Sequence, residues 1–80
     1  ARTRLRSAEE ARRRRARLRA AEAAVLRLER RLGDIDTELV EPETYAERDA
    51  LNRLLAERAD VETQLRAEYE DWSRLVDDEG

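Results

Sequence analysis

A single proline near the midpoint of the chain, Pro42, separates two long stretches that favour α-helix. Proline lacks an amide hydrogen and disfavours a helical conformation at the residue before it. One uninterrupted helix through this point is therefore disfavoured, and we expect a turn at residues 40–44. Directly after it, Thr44 and Glu47 have the spacing of a Ser/Thr-x-x-Glu capping box, which predicts that a second helix begins near Tyr45.

The composition restricts what the two arms can build. Charged residues make up 46% of the 80 residues and hydrophobic residues 40%, which is too little apolar material for a thick globular core. Gly and Pro together number only three, and Ala, Leu, Arg and Glu dominate, as is typical of long solvated helices. We therefore expect helices that share a narrow hydrophobic seam.

Alternating steps of three and four residues trace such a seam through each arm. In the first arm they select Ala11, Arg14, Leu18, Ala21, Val25, Leu28, Leu32, Ile35 and Leu39. In the second arm they select Leu51, Leu54, Arg58, Val61, Leu65, Glu68, Trp72 and Leu75. This is the 3.5-residue spacing of a coiled coil. The seam stays in phase across Gly33, which favours a continuous first helix over a helix that ends there.

The pattern predicts an all-α fold, specifically a two-helix antiparallel coiled-coil hairpin with helices at about 3–39 and 45–77. Residues 1–10 would be a basic linker or frayed helix start, residues 11–77 the hairpin, and residues 78–80 an acidic tail. A turn centred at residues 42–43 makes the numbers of facing residues sum to about 86. That register predicts three pairs of opposite charge: Arg31 with Glu57, Arg17 with Asp71, and Asp36 with Arg48.

Three polar residues, Arg14, Arg58 and Glu68, fall on the seam. We interpret them as long side chains that cover the seam and keep their charges in water. The same register brings Arg14 into the layer of Trp72, where a guanidinium would stack on the indole.

The charge distribution suggests a binding surface. Residues 1–19 contain nine arginines and two glutamates, a local charge of +7, whereas residues 62–80 carry −5. All seventeen basic residues of the chain are arginine, the side chain best suited to contact phosphates. We predict nucleic-acid binding, to DNA or ribosomal RNA, by Arg12, Arg13, Arg14, Arg15, Arg17 and Arg19. Four consecutive arginines exceed one helical turn, so they cannot all face the acidic end of the second arm.

Other chemistry lacks the necessary residues. The chain contains no cysteine and no histidine, so the usual nucleophilic dyads and thiolate metal sites are excluded. We expect no enzymatic activity in this segment, no cofactor and no metal site. No apolar run is long enough to cross a membrane, and we expect a cytoplasmic location without membrane contact.

Three segments together resemble a known family. The run 28–32 (LERRL), the turn 40–45 (VEPETY, with a Pro-x-x-Tyr core) and the end 70–75 (EDWSRL) are similar to the C-terminal coiled-coil domain of ABC-F proteins. These are ATP-binding-cassette ATPases that lack a membrane domain. The resemblance covers roughly residues 18–76 and implies a non-catalytic accessory domain that contacts nucleic acid, with the ATPase domains upstream in the same parent chain. The role of such a parent, in translation, DNA transactions or antibiotic resistance, stays open.

Two alternatives also remain open. The hairpin would serve equally as a structural spacer or as a protein-interaction module, including a homodimer, because apolar residues lie beside the seam at Leu26, Leu55 and Tyr69. The tRNA-binding C-terminal arm of a valyl-type aminoacyl-tRNA synthetase is a further two-helix coiled coil that contacts RNA.

Overall fold

The computed structural model describes residues 2–79, with the side chains of residues 78 and 79 excepted. It contains two long helices, α1 (Arg2–Leu39) and α3 (Arg48–Glu79), and a short helix between them, α2 (Pro42–Ala46). No strand occurs within the described residues, so the all-α prediction is confirmed there. The expected acidic tail, residues 78–80, falls outside the described residues except for the backbone of Asp78 and Glu79, which belongs to α3.

Helix α1 runs through Gly33 without interruption, as the in-phase seam predicts. Gly33 has no positive φ, and the Thr37 hydroxyl donates a 3.0 Å hydrogen bond to its carbonyl oxygen. A methyl group added at its Cα would meet no atom within 4 Å. The glycine therefore adds backbone freedom to the unfolded chain and supports no close contact within the folded one.

The turn contains a helix that the sequence patterns did not predict. Glu41 is extended, at φ −80° and ψ 131°, as expected for a residue before proline, and Pro42 opens α2 in the first helical turn, where a missing amide hydrogen costs nothing. The capping-box prediction is wrong. The Thr44 hydroxyl donates instead to the Glu38 carbonyl oxygen at 2.6 Å, and the Glu47 carboxylate accepts from the Asp49 amide at 3.3 Å.

Helices α1 and α3 pack against each other along an antiparallel seam. All seventeen seam positions selected by the heptad steps are at least partly buried. The core of the seam is a cluster of Leu28, Ile35, Val61 and Leu65, of which Ile35 is fully buried. Because the helix pair measures 66 × 18 × 14 Å, this one seam is all the core that its cross-section can hold.

The predicted register is displaced by about one heptad. Polar pairs across the helices, among them Asp36 with Arg58 and Glu22 with Trp72, make the numbers of facing residues sum to about 93 instead of about 86. The predicted pair Arg31–Glu57 is present, whereas Asp36 pairs with Arg58 and not with Arg48. The physical reason is α2, which occupies the turn as a compact unit and lets α3 begin beyond the end of α1.

The displaced register gives the helix pair two different ends. At the closed end, α2 connects α1 to α3. At the open end, residues 2–10 of α1 are exposed at every position, and the surface cavity there is lined by α1 residues alone. We call residues 2–10 the projecting end of α1; it extends about 13 Å along the helix axis.

Replacement of Gly33 by alanine is expected to stabilise the folded chain by about 1 kcal/mol. The added methyl group meets open space, and the unfolded chain loses backbone freedom. Thermal unfolding followed by circular dichroism measures the effect. Ala24→Gly, at a half-buried position of the same helix, is the reverse control and should destabilise; a lower melting temperature for Gly33→Ala would contradict this account.

Candidate nucleic-acid interface

The six arginines of the predicted site lie in one helical segment but on three sides of it. At 3.6 residues per turn, Arg12, Arg15 and Arg19 fall on one outward side of α1, and Arg13 and Arg17 fall on the opposite side. Five of the six are exposed, and Arg14 is half-buried on the seam. The structure therefore does not assemble all six into one surface.

The outward set, Arg12, Arg15 and Arg19, forms what we call the arginine stripe. Among the residues that the structure describes, none of the three has a carboxylate within 4.0 Å. The stripe extends about 10 Å along α1. Three guanidinium groups on one helix side, each held by a rigid backbone and directed into water, can contact successive phosphates of a polyanion.

The other side of α1 is partly neutralised within the chain. Arg13 pairs with Glu9 at 3.3 Å, one helical turn away. Arg17 lines an open surface cavity of about 520 Å³ together with Glu68 and Asp71 of α3. The predicted neighbourhood of Arg17 and Asp71 is thus present, but the ion pair of Asp71 is with Arg74.

The prediction that Arg14 stacks on Trp72 is wrong. The Trp72 indole nitrogen donates to the Glu22 carboxylate at 3.4 Å, which lies eight residues, or about 12 Å of helix, beyond Arg14. The one-heptad displacement of the register accounts for the difference. Arg58 and Glu68, the other polar seam residues, are half-buried, as expected for side chains that lie across a groove.

A second surface lies beside the seam. A groove of about 380 Å³ is lined by apolar and aromatic side chains and two carboxylates, namely Glu22, Val25, Leu26, Glu29, Tyr69 and Trp72. The Tyr69 hydroxyl donates to Glu29, and this hydrogen bond, with desolvation as a smaller contribution, raises the pKa of the tyrosine. Heptad steps identify Leu26 and Tyr69 as off-centre residues; only the structure shows that they line one groove.

Two ion pairs fasten the helices on opposite sides of the seam. Arg31 donates two 2.6 Å hydrogen bonds to Glu57, which lower the pKa of that carboxyl group and raise the pKa of the guanidinium. On the other side, Arg58 donates to Asp36 at 2.7 Å and also pairs with Glu62. The hydrogen bond from Arg58 lowers the pKa of Asp36, and its counterpart raises the pKa of Arg58.

Among the side chains of residues 2–77, no three carboxylates are arranged to hold a metal ion, and no helix within residues 2–79 is long and apolar enough to span a membrane. No protein-family model matches this chain, and comparisons with curated proteins and with solved structures find no match.

The ion pairs predict a loss of stability in acid. Because folding lowers the pKa values of Asp36 and Glu57, the stability they contribute is present above the unfolded carboxyl pKa of about 4 and is lost as the pH falls through the folded values. We expect the melting temperature to fall as the pH decreases from about 5 to about 2, and Glu57→Gln to flatten that decrease.

Circular dichroism melts at several pH values measure this dependence. Glu10→Gln, an exposed glutamate on the projecting end, is the matched control and should keep the pH profile of the unaltered chain. Equal flattening by both substitutions would show that the Arg31–Glu57 pair is not the source.

Proposed function

We propose that this chain is a non-catalytic accessory domain of an ABC-F ATPase, a two-helix antiparallel coiled-coil hairpin whose turn includes α2, and that it contacts nucleic acid through the arginines of α1. The contact is with the phosphate backbone of DNA or ribosomal RNA. The parent protein would be cytoplasmic and would hydrolyse ATP in upstream domains of the same chain.

The arginine stripe is the observation that carries the nucleic-acid part of the proposal. Neutralisation within the chain accounts for part of the opposite side of α1, where Arg13 pairs with Glu9 and Arg17 lines a cavity shared with Glu68 and Asp71. It does not account for the stripe, which has no carboxylate partner among the described residues. Adjacent to it, the projecting end adds three further exposed arginines, at positions 2, 4 and 6.

The geometry suits backbone contact rather than base readout. The stripe carries no aromatic side chain on which a base could stack, because the exposed aromatic residues lie in α2 and α3. Arginines in a row on a helix are matched to charge and spacing, which are common to all sequences. Binding is therefore expected to be tolerant of sequence and strongly weakened by salt.

The family part of the proposal is supported by where the resembling segments lie. The Pro-x-x-Tyr segment forms the closed end, where Tyr45 is 62% exposed on α2. The Trp-containing segment lies in the last third of α3, where Trp72 contacts Glu22 of α1. A tip that is free to touch a partner and an aromatic contact between the two helices suit an arm that extends from a larger protein.

Replacement of Arg12, Arg15 and Arg19 by glutamine tests the stripe. Fluorescence anisotropy with labelled single-stranded RNA and duplex DNA, at salt concentrations from about 50 to 200 mM, measures affinity and its salt dependence. We expect binding to weaken at least tenfold at low salt, and the slope of log K against log salt to decrease by about 2 for RNA and about 3 for DNA.

The matched control replaces Arg27, Arg30 and Arg53, also exposed, by glutamine. It removes the same charge but leaves the stripe intact, so a smaller loss is expected. An equal loss of affinity in both variants would show that binding depends on net charge and not on the stripe. Absence of binding by the unaltered chain at low salt would refute nucleic-acid contact by this domain.

The family assignment has an independent test in the coding sequence that precedes Ala1. We expect it to encode two nucleotide-binding domains, each with a Walker A motif, a signature motif and a Walker B motif. An upstream synthetase domain would contradict the assignment and favour the valyl-type alternative.

A further inference from the structure

The exposed large hydrophobic residues of the two long helices fall into two regular columns. In α1 and at its end they are Leu5, Leu26 and Val40, and in α3 they are Leu55, Tyr69 and Val76. Within each column the residue numbers differ by multiples of seven, so every member points to the same side of its helix. Exposed hydrophobic residues placed at random would show no seven-residue period.

The two columns also lie on one side of the helix pair. Leu26 and Tyr69 line the same groove, and one heptad repeat carries this relation along both helices. The result is a strip, interrupted by Arg12, Arg19 and Glu62 in the same columns, which we call the apolar face. Leu26 is 64% exposed and Tyr69 is 44% exposed, so the described residues leave the face uncovered.

The carboxylates along this face are already paired. Asp36 and Glu62 bind Arg58, Glu29 accepts from Tyr69, and Glu22 accepts from Trp72. A partner could therefore cover the face without burying an unpaired carboxylate, while Arg12 and Arg19, which lie in the α1 column, would keep their guanidinium groups in water on long stems.

The charges of the two ends identify the partner. Residues 34–53 at the closed end contain seven carboxylates and two arginines, a local charge of −5. The open end, with nine arginines in residues 1–19, is net positive even when the acidic end of α3 is included. A second copy turned end for end would set each open end against a closed end, whereas two copies in the same direction would oppose like charges.

We infer that the apolar face is a dimer interface, in which two copies of this chain pack face to face in opposite directions as a four-helix bundle. An overlap that aligns Leu5 of one copy with Val40 of the other sets Tyr69 of one copy about opposite Trp72 of the other, because facing residues within each copy sum to about 93. Both relations recur by the two-fold symmetry of the pair. The inference does not depend on the proposed nucleic-acid contact.

The face is large enough for a stable dimer. A side of the helix pair measures 66 × 18 Å, on the order of 1,000 Å², and a standard interface takes about 800 Å² from each partner. The aromatic residues Tyr69 and Trp72 near its middle are the side chains that most often dominate binding energy.

Sedimentation equilibrium without nucleic acid, from about 10 to 500 µM chain, tests the association. We expect twice the 9.4 kDa mass of one chain at the upper concentrations, with weaker association at about 1 M salt because the end charges are screened. Tyr69→Ser should weaken the dimer at least tenfold, and Tyr45→Ser, the same change on α2 away from the face, should not.

Leu5→Ser provides a second variant, because Leu5 lies on the projecting end and makes no contribution to the seam. It should weaken the dimer while the helical circular dichroism signal stays unchanged. A monomer at every concentration, or equal weakening by Tyr69→Ser and Tyr45→Ser, would overturn the inference.

The chain has no cysteine, so single cysteines report the direction of pairing. A mixture of Leu5→Cys and Val40→Cys chains should form a disulfide-linked heterodimer on mild oxidation. A mixture of Val40→Cys and Leu55→Cys chains would do so only if the copies ran in the same direction, and preferential cross-linking there would overturn the end-for-end arrangement. All these variants keep every arginine, so a negative result here is distinguishable from failure of the nucleic-acid proposal.

Discussion

Burial of the seam between α1 and α3 is the interaction on which the rest of the structure depends. Four side chains, Leu28, Ile35, Val61 and Leu65, are buried there, and each full burial of such a side chain contributes about 1.5–3 kcal/mol. Within residues 2–79, the short helix α2 is the only other element that either long helix contacts. The positions of the arginines, the groove and the ends all follow from how these two helices meet.

Polar contacts beside the seam stabilise the register that α2 sets, although each of them is exposed and weak compared with burial. Arg31 binds Glu57 on one side, and Arg58 binds Asp36 on the other. Together they hold the register that leaves the projecting end of α1 without a facing helix. The functional proposal depends on this register, because it decides which arginines lie beside carboxylates of α3 and which lie in water.

The two proposed surfaces adjoin on α1. Arg12 and Arg19 of the arginine stripe stand in the same heptad column as Leu5 and Leu26 of the apolar face. One side of α1 therefore carries both arginines suited to phosphate contact and apolar residues suited to packing. Since a second copy would cover part of the stripe, dimerisation and nucleic-acid binding would compete for this side of the helix.

The heptad pattern by itself determined the all-α fold, the continuous helix through Gly33 and the burial of all seventeen seam positions. Apolar side chains that recur every 3.5 residues are removed from water when two helices pack along that line. The pattern did not determine the register. A slip of seven residues brings seam positions again opposite seam positions, so the pattern is unchanged by the displacement that separates Arg14 from Trp72 and pairs Asp36 with Arg58. Only the tertiary structure decided the register, through the short helix α2 that occupies the turn. The spacing of apolar residues in the two long helices carries no information about the size of that turn.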